Sequence, residues 1–336
     1  MANQEMRAVL ADQLLELMAV NDKIVVIDAD LARANGTLKI RDAYPDRAFD
    51  VGIAEQNMAS VAAGMASYGF IPFIGSFTPF ATRRICDQVT VSISYAKSNV
   101  KIIGSDPGIT AELNGGTHMS VEDIGVLRSN PNMVIFEPVD AIQLEQAVPQ
   151  IVGYDGPVYI RLFRKAIENV FGPGYRFGLF QADVIREGTD VSLFASGIMV
   201  QESKKALELL DAEGIHAELV NIHTIKPIDA DAVVASARKT GAVVTCENHN
   251  VVGGLGSAVA EVLAERYPCY IRRVGIQDRF GQVGRLPFLK EEYHMTARDI
   301  AEAAKEAVAL KRKPERDNLL NCSRTHSDHS ESGLKS

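Results

Sequence analysis

Glu55 has a setting that suggests proton chemistry. A short apolar segment, Phe49 to Val51, runs through Gly52 into a predicted helix whose first turn holds Glu55. A carboxylate at this place is stabilised by the positive end of the helix dipole. If a ligand instead covers it with apolar groups, the carboxyl can hold a proton and act as a general acid or base. The residues alone leave both roles open.

The loop of residues 114–118, Asn-Gly-Gly-Thr-His, is a second candidate. Its two glycines let a backbone approach a ligand closely, and His118 could exchange a hydrogen bond with a hydroxyl group or an oxyanion. His118 could equally cap the helix that follows. Phe77 and Phe80 come directly after a predicted strand and suit stacking on a flat heteroaromatic ring, although packing in a core is the commoner role of phenylalanine.

Motifs of several other site classes are missing from the sequence. The glycine run at 253–256 lacks the GxGxxG spacing, so it predicts a tightly packed helix start rather than a dinucleotide site. Neither GxxxxGK[ST] nor GxSxG occurs. Four cysteines without a CxxC pair offer no zinc ligand set and are typical of reduced thiols, with Cys246 predicted in a core. We expect no metal site formed by this chain alone.

The composition is that of an acidic globular protein. The 336 residues carry a formal net charge of −8, which argues against a nucleic-acid surface. No segment approaches the ~18 consecutive apolar residues of a membrane span, and the N-terminus lacks the basic and apolar regions of a secretion signal. We therefore expect a cytoplasmic protein that binds neither nucleic acid nor membrane.

Alternating strands and helices position these candidates. The predicted strands cover residues 23–28, 71–75, 100–104, 133–136, 158–162, 191–195, 217–220, 242–246 and 270–274, and a single helix is predicted over 77–96. The alternation predicts an α/β fold of two domains, each a mostly parallel sheet flanked by helices. Ligands of such sheets bind beyond the carboxyl ends of the strands, where Asp28 and Asp30 fall.

Composition also suggests the domain boundaries. We predict a first domain over residues 1–165, a linker over 166–188 that contains Gly-Pro-Gly and has no clear periodicity, and a second domain over 189–310. The polar residues 311–336 have little to bury and predict a disordered tail.

Several runs together resemble the transketolase family, in family order over residues 6–310. They are DADL (28–31), GIAEQNMASVAAG (52–64), IPFIGSFTPFATRRICDQV (71–89), GGTHMSVEDIGVLRSNPNMVIFEPVDA (115–141), GPVYIRLFR (156–164) and NIHTIKPID (221–229). The resemblance implies a pyrimidine-binding domain of the thiamine diphosphate-binding fold, followed by a transketolase C-terminal domain. The chain most resembles the stand-alone C-terminal subunit of a split transketolase, which transfers a two-carbon ketol unit from a ketose to an aldose.

Thiamine diphosphate is the cofactor that this resemblance implies. Glu55 matches the glutamate that hydrogen-bonds N1′ of the aminopyrimidine and favours the tautomer that removes the thiazolium C2 proton. Phe80 matches the aromatic residue stacked on that ring, Phe77 lies beside it, and Asp30 is also assigned to the cofactor. A buried carboxyl that shares a proton is what such a step requires.

The resemblance implies a substrate channel as well. His118 matches a histidine at the reacting end of the donor sugar and is, with Glu55, a predicted catalytic residue. Asn114 falls where the family has an aspartate that faces a sugar hydroxyl. Arg7 and Arg164 match arginines that hold the sugar phosphate, a task suited to a bidentate guanidinium.

Four positions depart from the family pattern. Ala34 replaces a serine of the family's phosphate pocket, and Asp106 replaces a histidine. Asn114 replaces the aspartate that faces the sugar hydroxyl, and Arg83 replaces a tyrosine on the pyrimidine side. An aspartate beside a phosphate site adds repulsion unless Arg83 or Arg84 compensates. Ketol transfer is therefore better supported than any particular sugar, and the sequence leaves the phosphorylation of the substrate open.

The GDG motif that holds the cofactor's diphosphate and Mg²⁺ is absent. This implies a separate N-terminal chain that supplies those ligands, with the active site at the interface. The small residues of the helix after Glu55 favour a homodimer contact through the pyrimidine-binding domain, and two copies of each chain would form a heterotetramer.

Three alternatives stay open. The chain could be the β subunit of a 2-oxoacid dehydrogenase, which shares GIAEQ and the two-domain layout. It could belong with decarboxylating synthases, although these usually keep all domains on one chain. It could also be a non-catalytic α/β scaffold, which would need none of Glu55, Phe80 and His118.

Overall fold

The computed structural model describes residues 4–312. The strands are β1 (Ile24–Asp28), β2 (Ala48–Asp50), β3 (Ile71–Phe77), β4 (Lys101–Ser105), β5 (Val134–Phe136), β6 (Val158–Leu162), β7 (Asp183–Arg186), β8 (Val191–Ala195), β9 (Ala217–Asn221), β10 (Thr224–Lys226), β11 (Ala242–Asn250) and β12 (Tyr270–Ile276). The α-helices are α1 (Met6–Val20), α2 (Ala32–Asn35), α3 (Leu38–Ala43), α4 (Glu55–Ser67), α5 (Thr78–Ala81), α6 (Cys86–Gln88), α7 (Asp123–Arg128), α8 (Ala141–Gly153), α9 (Met199–Ala212), α10 (Ala230–Thr240), α11 (Leu255–Arg266), α12 (Leu286–Glu292) and α13 (Ala297–Arg312).

The larger sheet has the strand order β10-β5-β6-β4-β3-β1-β2 and is parallel except at β10. Its central strands are buried along their whole length, as in β1 and β4. Helices α1 and α8 contribute to the apolar cluster on one face, and α4 contributes to the cluster on the other. The near-continuous apolar strands follow from this cover on both faces.

The smaller sheet has the order β12-β11-β8-β9-β7, in which only β7 is antiparallel. It too has an apolar cluster on each face. The chain therefore has the predicted α/β architecture of two mostly parallel sheets flanked by helices. Cys246 is a core residue of β11, as predicted.

Two strands differ from the predicted organisation. Strand β7 lies inside the segment 166–188 that the sequence predicts as a linker, where it forms an edge strand against β9. Strand β10 follows β9 in the chain but pairs with β5 of the larger sheet. Both strands are short, and their positions are determined by pairing with strands far away in the sequence. The local periodicity of the sequence does not predict such pairing.

The helix predicted over 77–96 is broken into short pieces. Helix α5 is followed by a 3₁₀ turn at Arg83–Ile85, helix α6 and a π-helical segment at Val89–Tyr95. The break lies at Thr82, which has φ −129° and ψ −86°, and its hydroxyl donates to the Thr78 carbonyl at 2.7 Å. Pro79, in the first turn of α5, is compatible with a helix start.

A buried ionic cluster joins the two domains. The side chain of Arg161 in β6 donates to the carboxylates of Asp123 and Glu137 at 2.7 and 2.5 Å, and to the carbonyl of Asn248 in β11 at 2.6 Å. Burial raises the pKa of Asp123, but the charges of Arg161 and His249 and the hydrogen bonds from Arg161 and Tyr159 together outweigh it and hold that pKa below its usual range. The pairing therefore fixes β11 against the carboxyl end of β6.

Helix α13 continues through Arg312, so the first two residues of the predicted tail are helical, and the rest of the predicted tail lies outside the described residues. Within residues 4–312, no helix combines the length and apolarity needed to cross a membrane.

Candidate active site

The candidate residues gather at one edge of the larger sheet. Phe77 ends β3, Asp106 directly follows β4, Arg164 comes two residues after β6, and Glu55 begins the helix that follows β2. Strands β2, β1, β3, β4 and β6 are consecutive neighbours in the sheet. Their carboxyl ends therefore meet, which is where ligands of parallel sheets bind.

Glu55 is buried at the start of α4. The residue before it, Ala54, offers no side-chain cap, and the Glu55 carboxylate accepts a hydrogen bond from Arg84 Nη1 at 2.7 Å. Glu55 therefore does more than complement its own helix dipole, because its carboxylate pairs with a residue 29 positions away.

The guanidinium of Arg84 lies over the Phe80 ring. The guanidinium carbon is 3.8 Å from the centre of the Phe80 ring, while the same guanidinium reaches Glu55. A planar group with N–H donors thus fits on the Phe80 face within hydrogen-bonding reach of the Glu55 carboxylate. A flat ring stacked on Phe80 with a protonated ring nitrogen toward Glu55 would make the same two contacts.

His118 packs against both phenylalanines. Its ring centre is 5.2 Å from that of Phe80 and 5.8 Å from that of Phe77, in edge-on arrangements. Its Nδ1 lies 3.0 Å from the Thr117 hydroxyl. Helix α7 has Glu122 at its N-cap, so His118 does not cap it, and the active-site role of His118 stays a prediction.

Arg164 extends the cluster toward a second basic group. Its guanidinium carbon is 5.2 Å from the centre of the Phe77 ring, and its carbonyl accepts from the Arg7 main-chain N–H at 3.1 Å. Arg7 Nη1 donates to the Ala34 carbonyl at 3.1 Å, and Arg7 Nε donates to Glu5 at 2.8 Å. The two predicted anion-binding arginines are therefore neighbours.

We call this series of contacts the site row. Its members are Glu55, Arg84, Phe80, His118, Phe77 and Arg164.

Asp106 is paired with Arg164. Arg164 Nε forms an ion pair with Asp106 Oδ2 at 2.5 Å. Burial raises the pKa of the Asp106 carboxyl, and Arg164 opposes this shift. Neither Arg83 nor Arg84, the two arginines considered as compensation for this aspartate, is paired with it, because Arg83 pairs with Glu122 and Arg84 with Glu55.

Comparison with known proteins decides the family. Residues 2–169 match the family described as "Transketolase, pyrimidine binding domain", and residues 181–300 match "Transketolase, C-terminal domain". The chain belongs to the transketolase family. Its relatives include a 6-deoxy-6-sulfo-D-fructose transketolase subunit from Clostridium sp. (strain MSTE9), 53% identical over 91% of this chain and 95% of the relative.

Other transketolase-family proteins are similar over nearly their whole length. An apulose-4-phosphate transketolase subunit from Phocaeicola vulgatus is 34% identical over 90% of this chain and 97% of the relative. A solved structure described as "Split gene transketolase, inactive beta4 tetramer" matches with a TM-score of 0.84 and 43% identity, over 93% of this chain and 100% of that chain.

Three predicted site residues of this transketolase-family chain lie outside the site row. Arg7 is next to Arg164, whose carbonyl accepts its main-chain N–H. Asp30 is exposed beyond β1, where its main-chain N–H donates to Asp50 at 2.9 Å. Asn114 is exposed at the end of the 3₁₀ segment Gly108–Asn114. Their roles stay predictions.

Sequence reasoning named Arg84 only as possible compensation for Asp106 and did not pair it with Glu55. The available signal was its position four residues after Phe80, but only the break at Thr82 and the packing of α4 bring it to Glu55. The glycine run at 253–256 proves to be the predicted helix start, since the Leu255 and Gly256 N–H groups donate to Glu247 at 2.7 and 2.9 Å. Among residues 4–312, no three His, Cys, Asp or Glu side chains cluster in a way that could hold a metal ion.

Proposed function

We propose that this chain is the C-terminal subunit of a thiamine-diphosphate-dependent split transketolase. It would transfer a two-carbon ketol unit from a ketose donor to an aldose acceptor. The observation that carries the proposal is the site row, which places a buried carboxylate, an aromatic face, a histidine and an arginine in continuous contact.

Glu55 and Phe80 form the cofactor end. Phe80 offers a ring face for stacking, and the buried Glu55 carboxylate would hold a proton at a ring nitrogen of the cofactor. When bound, thiamine diphosphate supplies the electron sink that breaking a carbon–carbon bond of the donor requires. The guanidinium of Arg84 supports this assignment, because a planar N–H donor already bridges the two residues.

His118 and the arginines form the substrate end. His118 lies between the cofactor end and Phe77, so it would exchange hydrogen bonds with the donor's reacting hydroxyl groups. Arg164 and Arg7 would bind a terminal anion of the sugar. One relative is named for a sulfo-ketose and another for a phosphorylated sugar, so our proposal includes a donor that ends in a tetrahedral oxyanion.

A separate N-terminal chain completes the proposed enzyme. The sequence has no GDG motif, and we assign the diphosphate and Mg²⁺ ligands to that partner. Several relatives are named as subunits, and the solved β tetramer is titled inactive, which fits a chain that needs a partner. Cys86, Cys246 and Cys269 are free thiols, in keeping with the cytoplasmic location that we also propose.

The Glu55→Gln variant tests the proposal. Glutamine keeps the size of the side chain but does not exchange the proton, so we expect turnover by the reconstituted two-chain complex to fall by about 10²-fold or more. Turnover is measured from a ketose and an aldehyde, and assembly is followed by light scattering.

Glu306→Gln is the matched control, since Glu306 also pairs with an arginine, at 2.9 Å, but lies on α13. Full activity of assembled Glu55→Gln would refute the enzyme assignment and favour the scaffold alternative. Transfer to lipoamide in place of an aldose would instead favour the 2-oxoacid dehydrogenase alternative.

A further inference from the structure

We propose that Asp106 is a specificity-determining residue that makes the anion site of this chain prefer a singly charged group, such as a sulfonate, over a doubly charged phosphate. The inference rests on the proposed function and concerns the far end of the same substrate channel.

Asp106 is buried, and hydrogen bonds hold the main chain around it. It is 1% exposed, and its main-chain N–H donates to the Leu162 carbonyl at 2.9 Å. The next residues are held by Asn248, whose side chain accepts from the Ile109 N–H at 3.0 Å and donates to the Pro107 carbonyl at 2.9 Å. The main chain at Asp106 is therefore held in place, and its buried carboxylate is held by the ion pair with Arg164.

Arg164 shares its charge with this aspartate. Its Nε forms an ion pair with Asp106 at 2.5 Å, and its main-chain N–H donates to the same carboxylate at 3.4 Å. The Nη groups of Arg164 have no comparable partner among the described residues. The Nε edge of the guanidinium is thus paired with Asp106, while the Nη groups can still bind a ligand.

The charges of the site leave about one positive charge for a ligand. Arg7 and Arg164 contribute two positive charges, and buried Asp106 removes one. Glu5 pairs with Arg7, but its side chain is 47% exposed, so water screens that pair. The neighbouring ion pair of Lys165 with Glu112 cancels internally.

The second negative charge of a ligand would be repelled by Asp106, and no further positive charge of the site would balance this repulsion. A phosphate monoester carries about −1.5 to −2 at pH 7, because its second pKa is about 6. A sulfonate has the same three oxygens in a tetrahedral arrangement but a single charge. Because a buried carboxylate is weakly screened, its repulsion acts on the extra charge of the phosphate.

The experiment uses the full chain reconstituted with its N-terminal partner at pH 8. Three donor ketoses share one carbon skeleton and end in a hydroxyl, a sulfonate or a phosphate group, and kcat/KM is measured for each. We expect wild type to prefer the sulfonate to the phosphate by about tenfold or more, with the difference mainly in KM.

Asp106→Asn removes the charge while keeping the size, and asparagine tolerates the φ of +52° at this position. We expect it to raise the phosphate-to-sulfonate ratio of kcat/KM by about tenfold. Asp46→Asn, an exposed aspartate before β2, makes the same charge change as a control and should leave the ratio unchanged.

The outcomes separate the two proposals. A wild-type complex that prefers phosphate, or does not discriminate, overturns the inference even if the variant fails to assemble. A preference that survives in an assembled Asp106→Asn complex shows that Asp106 is not its source. Absence of two-carbon transfer from all three donors refutes the proposed function itself.

Discussion

At the scale of single residues, Arg84 is the feature with the clearest consequence. It covers the Phe80 ring and bonds Glu55, so it stands on the surface that the proposed cofactor ring would use. The Arg84 side chain is 41% exposed and can move into solvent. Arg84 would therefore have to leave the Phe80 ring before the cofactor ring can bind. Only the fraction of molecules with Arg84 turned away can bind the cofactor, which lowers its apparent affinity.

Replacing Arg84 with alanine should tighten thiamine diphosphate binding by about fivefold, because the cofactor would no longer have to displace a cation–π contact worth about 0.5–1 kcal/mol and an ion pair whose arginine end is exposed. Calorimetric titration of the reconstituted complex measures this affinity. Arg266→Ala, another exposed arginine in an ion pair, is the control. Weaker binding in Arg84→Ala would mean that the arginine assists the cofactor instead of competing with it.

At the scale of secondary-structure elements, the residue directly before β10 is a buried histidine. His223 is buried among Phe136 and Phe177, and its Nε2–H donates to the Gln181 carbonyl at 2.7 Å. Burial lowers the pKa of His223 to about 4. The facing acids are Asp229 and Asp183, and burial raises the pKa of Asp183 to about 6.

This lowered pKa has a defined effect on stability. An unfolded histidine titrates near pH 6.5, so the unfolded state binds more protons than the folded state between about pH 6.5 and 4. The contribution of His223 is complete above about pH 6.5 and is lost as the pH falls toward 4. From pH 7.5 to 5 the loss from this group is about 2 kcal/mol, and protonation of Asp183 offsets part of it.

His223→Gln should therefore lose less stability than wild type between pH 7.5 and pH 5. The midpoint of urea unfolding, followed by circular dichroism at both pH values, gives the comparison. His216→Gln removes an exposed histidine and should behave as wild type. An equal decrease in His223→Gln and wild type would rule out this histidine as the source.

At the scale of the whole molecule, the pyrimidine-binding domain exposes an apolar surface beside Glu55. Ile53, Val91 and Tyr95 are exposed, and α4 packs against the π-helical segment that carries the latter two. At Gly64 of α4, an added Cβ would meet nothing within 4 Å. Such an exposed patch favours coverage by another subunit, in keeping with the proposed homodimer contact.

Val91→Asp should weaken self-association, because a charge would have to be buried at the proposed contact. Light scattering over a concentration series measures the mass of the free chain. Leu209→Asp, a comparable change on the exposed side of α9, should leave the mass unchanged. If both variants keep the wild-type mass, the subunit contact lies on another surface.

The sequence by itself determined the α/β architecture, because apolar runs that alternate with helical segments can be buried only as covered parallel strands. It also placed Glu55, Phe77, Phe80 and His118 as candidates, since each carries its chemistry in its type and motif, and the resemblance to the transketolase family added Arg7 and Arg164. Only the tertiary structure decided that Arg84 meets Glu55, that Arg164 meets Asp106, and that β10 joins the larger sheet. These contacts join residues far apart in the chain, and packing rather than local preference selects them.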